Sequence, residues 1–408
     1  MTPVELSRTV LGAVRRAVDD GVLAVAVPER VKVTAPGPGG CGDYATTIAL
    51  QLARPAGRPP LQVAEILRAR LVGRGGVRDV VVTGPGFLNI TLGDAVGADL
   101  VAEILRRGPR YGFVGEPGAE VVERQAGGEV VELRAPCEVR AVVVMDVVAR
   151  LLRSQGAVVR ARCQGGVPDG EWVSLLGVRV GVDEGAPGEA SSSLPPPPPL
   201  TIQPVPAPAS PLHLGRDAGR WALLHPAAHD RPRISDEHLV QREGNPLFRV
   251  RYAHARIRAA SRNAADLGFR AEPGVVGSVD GAPTPAGVPT PDAPDARFRA
   301  EPGVVGSADV APTATGVDTP PGVHPLLHPL ADHPRVLAQA AAHRAPDRLA
   351  RHLVTVADAV LPLLPAVLPR GAEKPSATHR ARLALAEAAG AVLAGGLSLL
   401  GIDAPDHL

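Results

Sequence analysis

Apolar residues return at three- and four-residue steps along much of this chain, and each such stretch predicts an amphipathic helix. The fullest example follows Gly244-Asn245, where Pro246 suits a first helical turn because a missing N–H costs nothing there. Leu247, Val250, Ala253, Ile257 and Ala260 form its apolar stripe. Arg249, Arg251, Arg256, Arg258 and Arg262 hold the other face, with His254 among them. That face has two readings, a solvated helix surface or a phosphate-binding surface. Similar spacing predicts helices over 3–19 (Val4, Leu11, Val14, Val18), from Pro60 onward (Val63, Ile66, Leu67, Leu71), and over 140–154, 326–342, 347–361 and 378–393. Gly395-Gly396 offers the last of these a stop.

Runs of β-branched residues predict strands over 24–33, 77–83, 130–136 and 157–163, with a strand-like run over 173–182. The order strand 130–136, helix 140–154, strand 157–163 is a βαβ unit, the building block of a nucleotide-binding sheet. Between the first pair, Pro36-Gly37-Pro38-Gly39-Gly40-Cys41-Gly42 is a turn, followed by a helix over 43–53 with Asp43 placed to cap it. No Lys-Ser/Thr follows that turn, so it reads as a plain turn and not a phosphate loop. Residues 185–211, with Pro195–Pro199 inside them, read as a polyproline spacer that builds no core. Phe269-Arg270-Ala271-Glu272-Pro273-Gly274-Val275-Val276-Gly277-Ser278 returns unchanged at 298–307, a tandem duplication in a region whose composition predicts disorder.

Composition sharpens the picture. The chain has 408 residues, 45% of them hydrophobic, but only 2% aromatic. Cores must therefore be built from Leu, Val and Ala, in two or three domains. The net charge is +1, so nucleic acid would be held by local patches and not by a global field. Three cysteines, Cys41, Cys137 and Cys163, lack any CxxC spacing; no disulfide framework, metal site or cofactor is expected, and a reducing cytoplasm is. No leader and no apolar run of about 18 residues stands out, so no membrane role is expected.

Two phrases near the start are distinctive together: Gly42-Asp43-Tyr44-Ala45-Thr46 with 48–53, and Gly84-Pro85-Gly86-Phe87-Leu88-Asn89-Ile90. They resemble the N-terminal domain of arginyl-tRNA synthetases, which in that family meets the tRNA elbow. Asn245-Pro246 with Val250-Arg251-Tyr252-Ala253-His254-Ala255-Arg256 resembles the helix where that family's catalytic core joins its anticodon-binding domain. Phrases at 346–353, 381–385 and 396–405 resemble the all-helical anticodon-binding domain itself. Pro362, Pro365 and Pro369 depart from it and must end or kink one helix, since an interior proline costs about 3 kcal/mol. The resemblance implies RNA contacts at Tyr44, Phe87 and Asn89, and at Arg249, Arg251, Tyr252, His254, Arg256 and Arg258. Phe87 also reads as a core residue of a small domain.

The βαβ unit resembles the start of the family's catalytic core, with Asp146, Ala149, Arg150, Leu151, Leu152 and Gly156 in matching places. The connection that carries HxGH in the family is here only Cys137-Glu138-Val139, and Glu138 at a helix start would itself take the anion's place and repel a triphosphate. No KMSK-like loop occurs in a chain whose lysines are Lys32 and Lys374. His213-Leu214-Gly215-Arg216 is only a decoy for HxGH, so no catalytic residue is assigned. The expected fold is an α+β N-terminal domain (1–116), a truncated Rossmann-like α/β remnant (117–182), a proline-rich linker (183–212) and an all-α bundle (213–408) interrupted by an insertion at 267–322. The expected function is tRNA binding, with an arginine tRNA as the implied target, by a monomer without ligase activity. The alternatives are a protein-interaction factor that docks through the helical domain or linker, and an active arginine–tRNA ligase.

Overall fold

The computed structural model describes residues 1–34, 36–37, 41–114, 130–179, 199–276 and 325–407. Helix α1 (Pro3–Asp19) opens with a reciprocal cap in which the Thr2 hydroxyl accepts from the Glu5 N–H and the Glu5 carboxylate accepts from the Thr2 N–H. Leu6, Val10, Val14 and Ala17 line its buried side. They share a core with Val63, Leu67 and Leu71 of α3 (Pro60–Leu71). Both helices cover an antiparallel sheet in the order β1 (Val33–Thr34), β2 (Tyr44–Thr46), β4 (Phe87–Leu92), β3 (Val77–Thr83), with the short α2 (Ile48–Ala53) beside it.

Two expectations fail in this unit. The strand over 24–33 shrinks to Val33–Thr34: Pro28 interrupts the run, and the carbonyls of Val31 and Lys32 accept from the hydroxyls of Ser7 and Thr46. Asp43 does not cap a helix. Tyr44–Thr46 pair with β4 instead, and the buried Asp43 carboxylate accepts the Leu92 N–H at 2.7 Å.

After α4 (Asp94–Arg107), the βαβ unit forms as its pattern predicts: β5 (Val130–Pro136), α5 (Val139–Ser154) and β6 (Val158–Gln164), with the strands parallel and in register from Val130↔Val158 to Pro136↔Gln164. Leu133, Ala135, Val159 and Ala161 pack toward α5, which is buried on nearly every side. Parallel sheets ordinarily have both faces covered and read as continuous apolar runs. Here Glu132, Arg134, Arg160 and Arg162 alternate onto the second face, as in a sheet with one wet side.

The spacer reading is also corrected. Leu200–Thr201 form β7, which adds to β5 in parallel, and Ile202 is buried behind it. A helix, α6 (Gly170–Leu175), replaces the strand expected from residue 173, because Asp169 caps it by accepting the Glu171 N–H. Residues 176–179 continue without strand pairing, with Leu176 and Val178 buried, while 180–182 and 195–198 lie outside the described residues.

The helical domain comprises α7 (Gly215–Leu224), α8 (Pro246–Asp266), α9 (Leu327–Ala342), α10 (Pro346–Val360) and α11 (Ala377–Leu400). As the prolines at 362, 365 and 369 require, α10 stops at Val360 and a 3-10 turn follows over Leu364–Ala366. Gly395-Gly396 is no stop. The helix runs through both glycines, since a Cβ at Gly395 would collide with the Pro109 carbonyl and one at Gly396 with Leu353. Gly401 ends it in the left-handed conformation, φ 72°. By length and composition α11, and α10 with its following turn, could cross a membrane, contrary to the sequence expectation. In this fold α11 is the central core helix, and each buried Leu along it contributes roughly 1.5–3 kcal/mol.

The start of the expected disordered insertion is ordered. Phe269 is buried, the Glu272 N–H donates to the Arg380 carbonyl and Arg382 Nε donates to the Val276 carbonyl. The second copy of the duplicated segment lies outside the described residues.

Candidate nucleic-acid interface

Helix α8 is built as its pattern demands. Leu247, Val250, Ala253, Ile257 and Ala260 are all buried, and Asn245 locks the start. Its side-chain oxygen accepts from the N–H groups of Leu247 and Phe248, while its amide nitrogen donates to the carbonyls of His238 and Val240 at 2.9 Å. The preceding loop is thereby tied to the helix, and between them lies a cavity of about 300 Å³ bordered by Leu239, Val240, Gln241, Phe248, Arg251 and Asp217.

The arginines of α8 divide into two groups. Arg249 pairs with Asp358 and Arg251 with Asp217, each at 3.3 Å, and Arg258 Nε donates to Asp406 at 2.8 Å. Hydrogen bonding from Arg258 holds the Asp406 carboxyl below its ordinary pKa. Arg256 instead lies over the Tyr252 ring, 5.9 Å from its centroid, and Tyr252 stacks on Phe248 with centroids 5.4 Å apart and planes at 21°. Phe248, Tyr252 and Arg256 therefore form a ladder at four-residue steps, with Phe248 at the cavity rim. Phe248 was missed as a site residue, although its spacing to Tyr252 and Arg256 was visible. His254 turns inward: its Nδ1 donates to the Pro405 carbonyl at 2.9 Å, and burial lowers its pKa.

In the N-terminal unit, Phe87 stands at the tip of the β3–β4 hairpin, 38% exposed. Gly84 (φ 51°) and Gly86 (φ 136°) make the turn, and Gly86 lies so close to the Pro60 carbonyl that a Cβ would sit 3.0 Å from it. Asn89 is buried, and its amide nitrogen donates to the Thr83 hydroxyl at 2.7 Å and to the Val81 carbonyl. It braces the hairpin and presents no edge to a base. Tyr44 is buried against His328 of α9, with ring centroids 4.6 Å apart. The structure thus brings Tyr252 and Arg256 together with Phe248, pairs Arg249, Arg251 and Arg258 with carboxylates of three different segments, leaves Phe87 exposed, and places Tyr44, Asn89 and His254 inside.

The βαβ unit shows what occupies the head of α5. Glu138 is its N-cap, accepting the Ala141 N–H at 3.4 Å and the Ala207 N–H at 3.1 Å. Arg140 behind it is fully buried and donates to the carbonyls of Val205, Leu223, Pro226, Ala227 and Asp230. Further along, Asp146 accepts from Arg220 at 2.6 Å and Arg150 at 3.1 Å. Arg220 also donates to the carbonyls of Leu176 and Leu400, so this network joins α5, α7 and α11. His213 lies at the surface, 3.6 Å from Asp236.

Residues 6–92 match the arginyl tRNA synthetase N terminal domain, and residues 308–408 match the DALR anticodon binding domain. The chain is 41% identical over 162 residues to the arginine–tRNA ligase of Frankia alni and 42% identical over 173 residues to that of Renibacterium salmoninarum. These alignments cover 38% and 39% of this chain but only 28% and 30% of the two ligases. Its fold is similar to the arginyl-tRNA synthetase structures of Thermus thermophilus (TM-score 0.56, 16% identity, all of both chains covered) and Plasmodium falciparum (TM-score 0.63, 8% identity, 100% of this chain and 99% of that one). Matches to both of these domain families, with a small parallel βαβ unit in the same chain, make its architecture similar to that of the aminoacyl-tRNA synthetases. Within that class it is arginyl-tRNA synthetase-like.

Proposed function

We propose that this chain binds tRNA through its two outer domains, acts in translation in the cytoplasm, and carries no aminoacylation site of its own. The observation that carries the reading is the Phe248–Tyr252–Arg256 ladder at the rim of the 300 Å³ cavity. Unstacked bases of RNA loops are held by stacking on aromatic rings and guanidinium planes, worth about 1–3 kcal/mol per base. A cavity beside such a ladder accepts a splayed base. Phe87 supplies a second stacking surface at the far end of the chain. With Arg249, Arg251 and Arg258 engaged by carboxylates, phosphate contact is modest and competes with those pairs, so affinity falls as salt rises.

The head of α5 supports the non-catalytic half of the reading. A helix N-terminus attracts a phosphate when its N–H groups are open. Glu138 caps that terminus with a carboxylate, which repels a triphosphate, and the residues there do not fit ATP. The test pairs two measurements on the purified full chain. Replacing Phe248, Tyr252 and Arg256 with Ala, Ala and Gln weakens tRNA binding at least tenfold while ATP–pyrophosphate exchange stays at background in every variant. Exchange above background by the wild type overturns the non-catalytic half, and unchanged binding by the triple variant overturns the interface.

A protein-docking role has one observation in its favour: Leu239 and Val240 beside the same cavity are 50% and 40% exposed. Capture of a protein and no tRNA from lysate in which RNA is kept intact selects that reading.

A further inference from the structure

The two cysteines of the βαβ unit meet. The parallel ladder sets Cys163 of β6 opposite Ala135 of β5, and Cys137 stands two residues past Ala135. Beyond Pro136 the strand ends in a tight turn centred on Cys137, in which the Glu138 N–H donates back to the Pro136 carbonyl at 2.8 Å. Both cysteines pack against the core under α5, and their thiols are hydrogen-bonded to each other. Their surroundings differ. Cys163 is 3% exposed, whereas Cys137 is half-buried and its Sγ donates to the Val167 carbonyl at 3.3 Å. With the Cys137 S–H directed at Val167, the Cys163 S–H is the donor between the two thiols. The bond to Val167 ties down the turn after β6, where Gly165 (φ 83°) and Gly166 have open space at the Cβ position and Val167 is exposed. That turn borders a cavity of about 420 Å³ at the carboxyl ends of the strands.

We propose that Cys137 and Cys163 form a redox switch: they close to a disulfide, and closure removes the S–H that holds Val167, so the Gly165–Val167 turn is released. Two thiols already in contact can join without the backbone movement that a wider separation demands. The oxidant is a small-molecule disulfide. The Cys137 thiolate, the more accessible of the two, attacks one of its sulfurs and one small thiolate leaves. The Cys163 thiolate then attacks Cys137 Sγ in the mixed disulfide and expels the second small thiolate. The two cysteine protons go to the departing thiolates, so two protein thiols are oxidised by two electrons while one disulfide becomes two thiols. Burial, with Cys137 adding to it, pushes the Cys163 pKa up to about 11. Reaction therefore begins at Cys137, and closure runs faster as pH rises toward that value. The switch draws on no residue of the α8 ladder, so either can fail without the other.

The test treats the reduced full chain with oxidised glutathione at about pH 7 and about pH 9, then blocks free thiols with N-ethylmaleimide and digests with trypsin without reductant. Cleavage after Arg134, Arg140, Arg162 and Arg179 leaves Cys137 in 135–140 and Cys163 in 163–179. The expected product is these two peptides joined by a disulfide, formed several-fold faster at the higher pH. Cys41, whose N-terminal unit holds no second cysteine, should stop at the glutathione adduct and serves as the control. Cys163→Ser should hold Cys137 at the adduct stage, and in Cys137→Ser the remaining Cys163 should react at least tenfold more slowly than Cys137 does in the wild type. Hydrogen exchange over 165–167 should be faster in the oxidised wild type than in the reduced one. A Cys137 adduct that never closes in the folded wild type overturns the disulfide, and equal exchange over 165–167 in the two states overturns release of the turn.

Discussion

Single residues here do one of two jobs, and burial separates them. Asp146 is 1% exposed and carries Arg220 and Arg150, one of them also fully buried. Removing one partner of a buried charge pair leaves the other uncompensated, at a cost of about 3–5 kcal/mol. Asp146→Ala is therefore expected to lower unfolding stability by about that amount, read as a shift of the denaturant midpoint at unchanged slope. A loss under 1 kcal/mol would mean that the network is solvated. Asn89 and Tyr252 form a contrasting pair. Asn89→Ala should cost about 1–3 kcal/mol of stability, because the Thr83 hydroxyl and Val81 carbonyl lose their donor. Tyr252→Ala should leave stability nearly unchanged and weaken tRNA binding by about 1–3 kcal/mol, roughly 5- to 150-fold. A filter-binding titration beside a urea melt of each variant distinguishes the two. The difference was hard to see in sequence: Phe87 and Asn89 are two residues apart in one strand and share a distinctive phrase. Strand alternation puts both on one side, but the hairpin tip exposes Phe87 while the Thr83 hydroxyl draws Asn89 inward.

At the scale of elements, the apolar period of each helix and strand fixed most of what formed. Helix α1, strand β3, strand β5 and the buried stripe of α8 lie where Val, Leu and Ala spacing places them. The failures share a cause, which is pairing with distant partners. Tyr44–Thr46 became a strand because β4 was there to receive it, and Gly395-Gly396 stayed helical because Pro109 and Leu353 press against them. Gly395→Ala is expected to destabilise by more than the helix propensity gained, and thermal melting should show a fall, not the small rise usual for Gly→Ala in a helix. The α9–α10 pair carries a pH dependence of its own. Rings of Tyr111, His333 and His352 stack in sequence, at 6.0 and 5.2 Å, with Tyr111 Oη, His333 Nδ1 and His352 Nε2 buried and unpaired. Burial keeps both histidines neutral, His352 down to about 4 and His333 well below its ordinary value; Asp332 opposes this at His352 and Arg335 adds to it. The folded pKa values lie below the unfolded 6.5, so the unfolded chain takes up protons first. Stability is complete above about pH 6.5 and falls as pH drops toward 4, by about 1.4 kcal/mol per unit for each histidine. Melting temperature should decline between pH 7 and pH 5, and the His333→Phe/His352→Phe variant should flatten that slope. An unchanged slope would assign the acid sensitivity elsewhere.

The whole molecule combines an N-terminal α+β unit and a helical domain, both matching arginyl-tRNA synthetase domain families, with a small parallel sheet that has one polar face. Its outer domains were legible in the sequence because their phrases are long and specific. The ladder was less so, because Phe248 declares itself only once the rings are seen to stack and the neighbouring cavity is seen to open. At net +1 and with Arg249, Arg251 and Arg258 paired to carboxylates, the proposed tRNA binding rests on stacking and local contacts and not on a general field. The most direct measurement is retention of total tRNA by the full chain at about 50 and about 200 mM salt, followed by sequencing of the bound RNA. We expect enrichment of one isoacceptor set, with affinity falling as salt rises. No tRNA held above background at the lower salt would contradict tRNA binding itself.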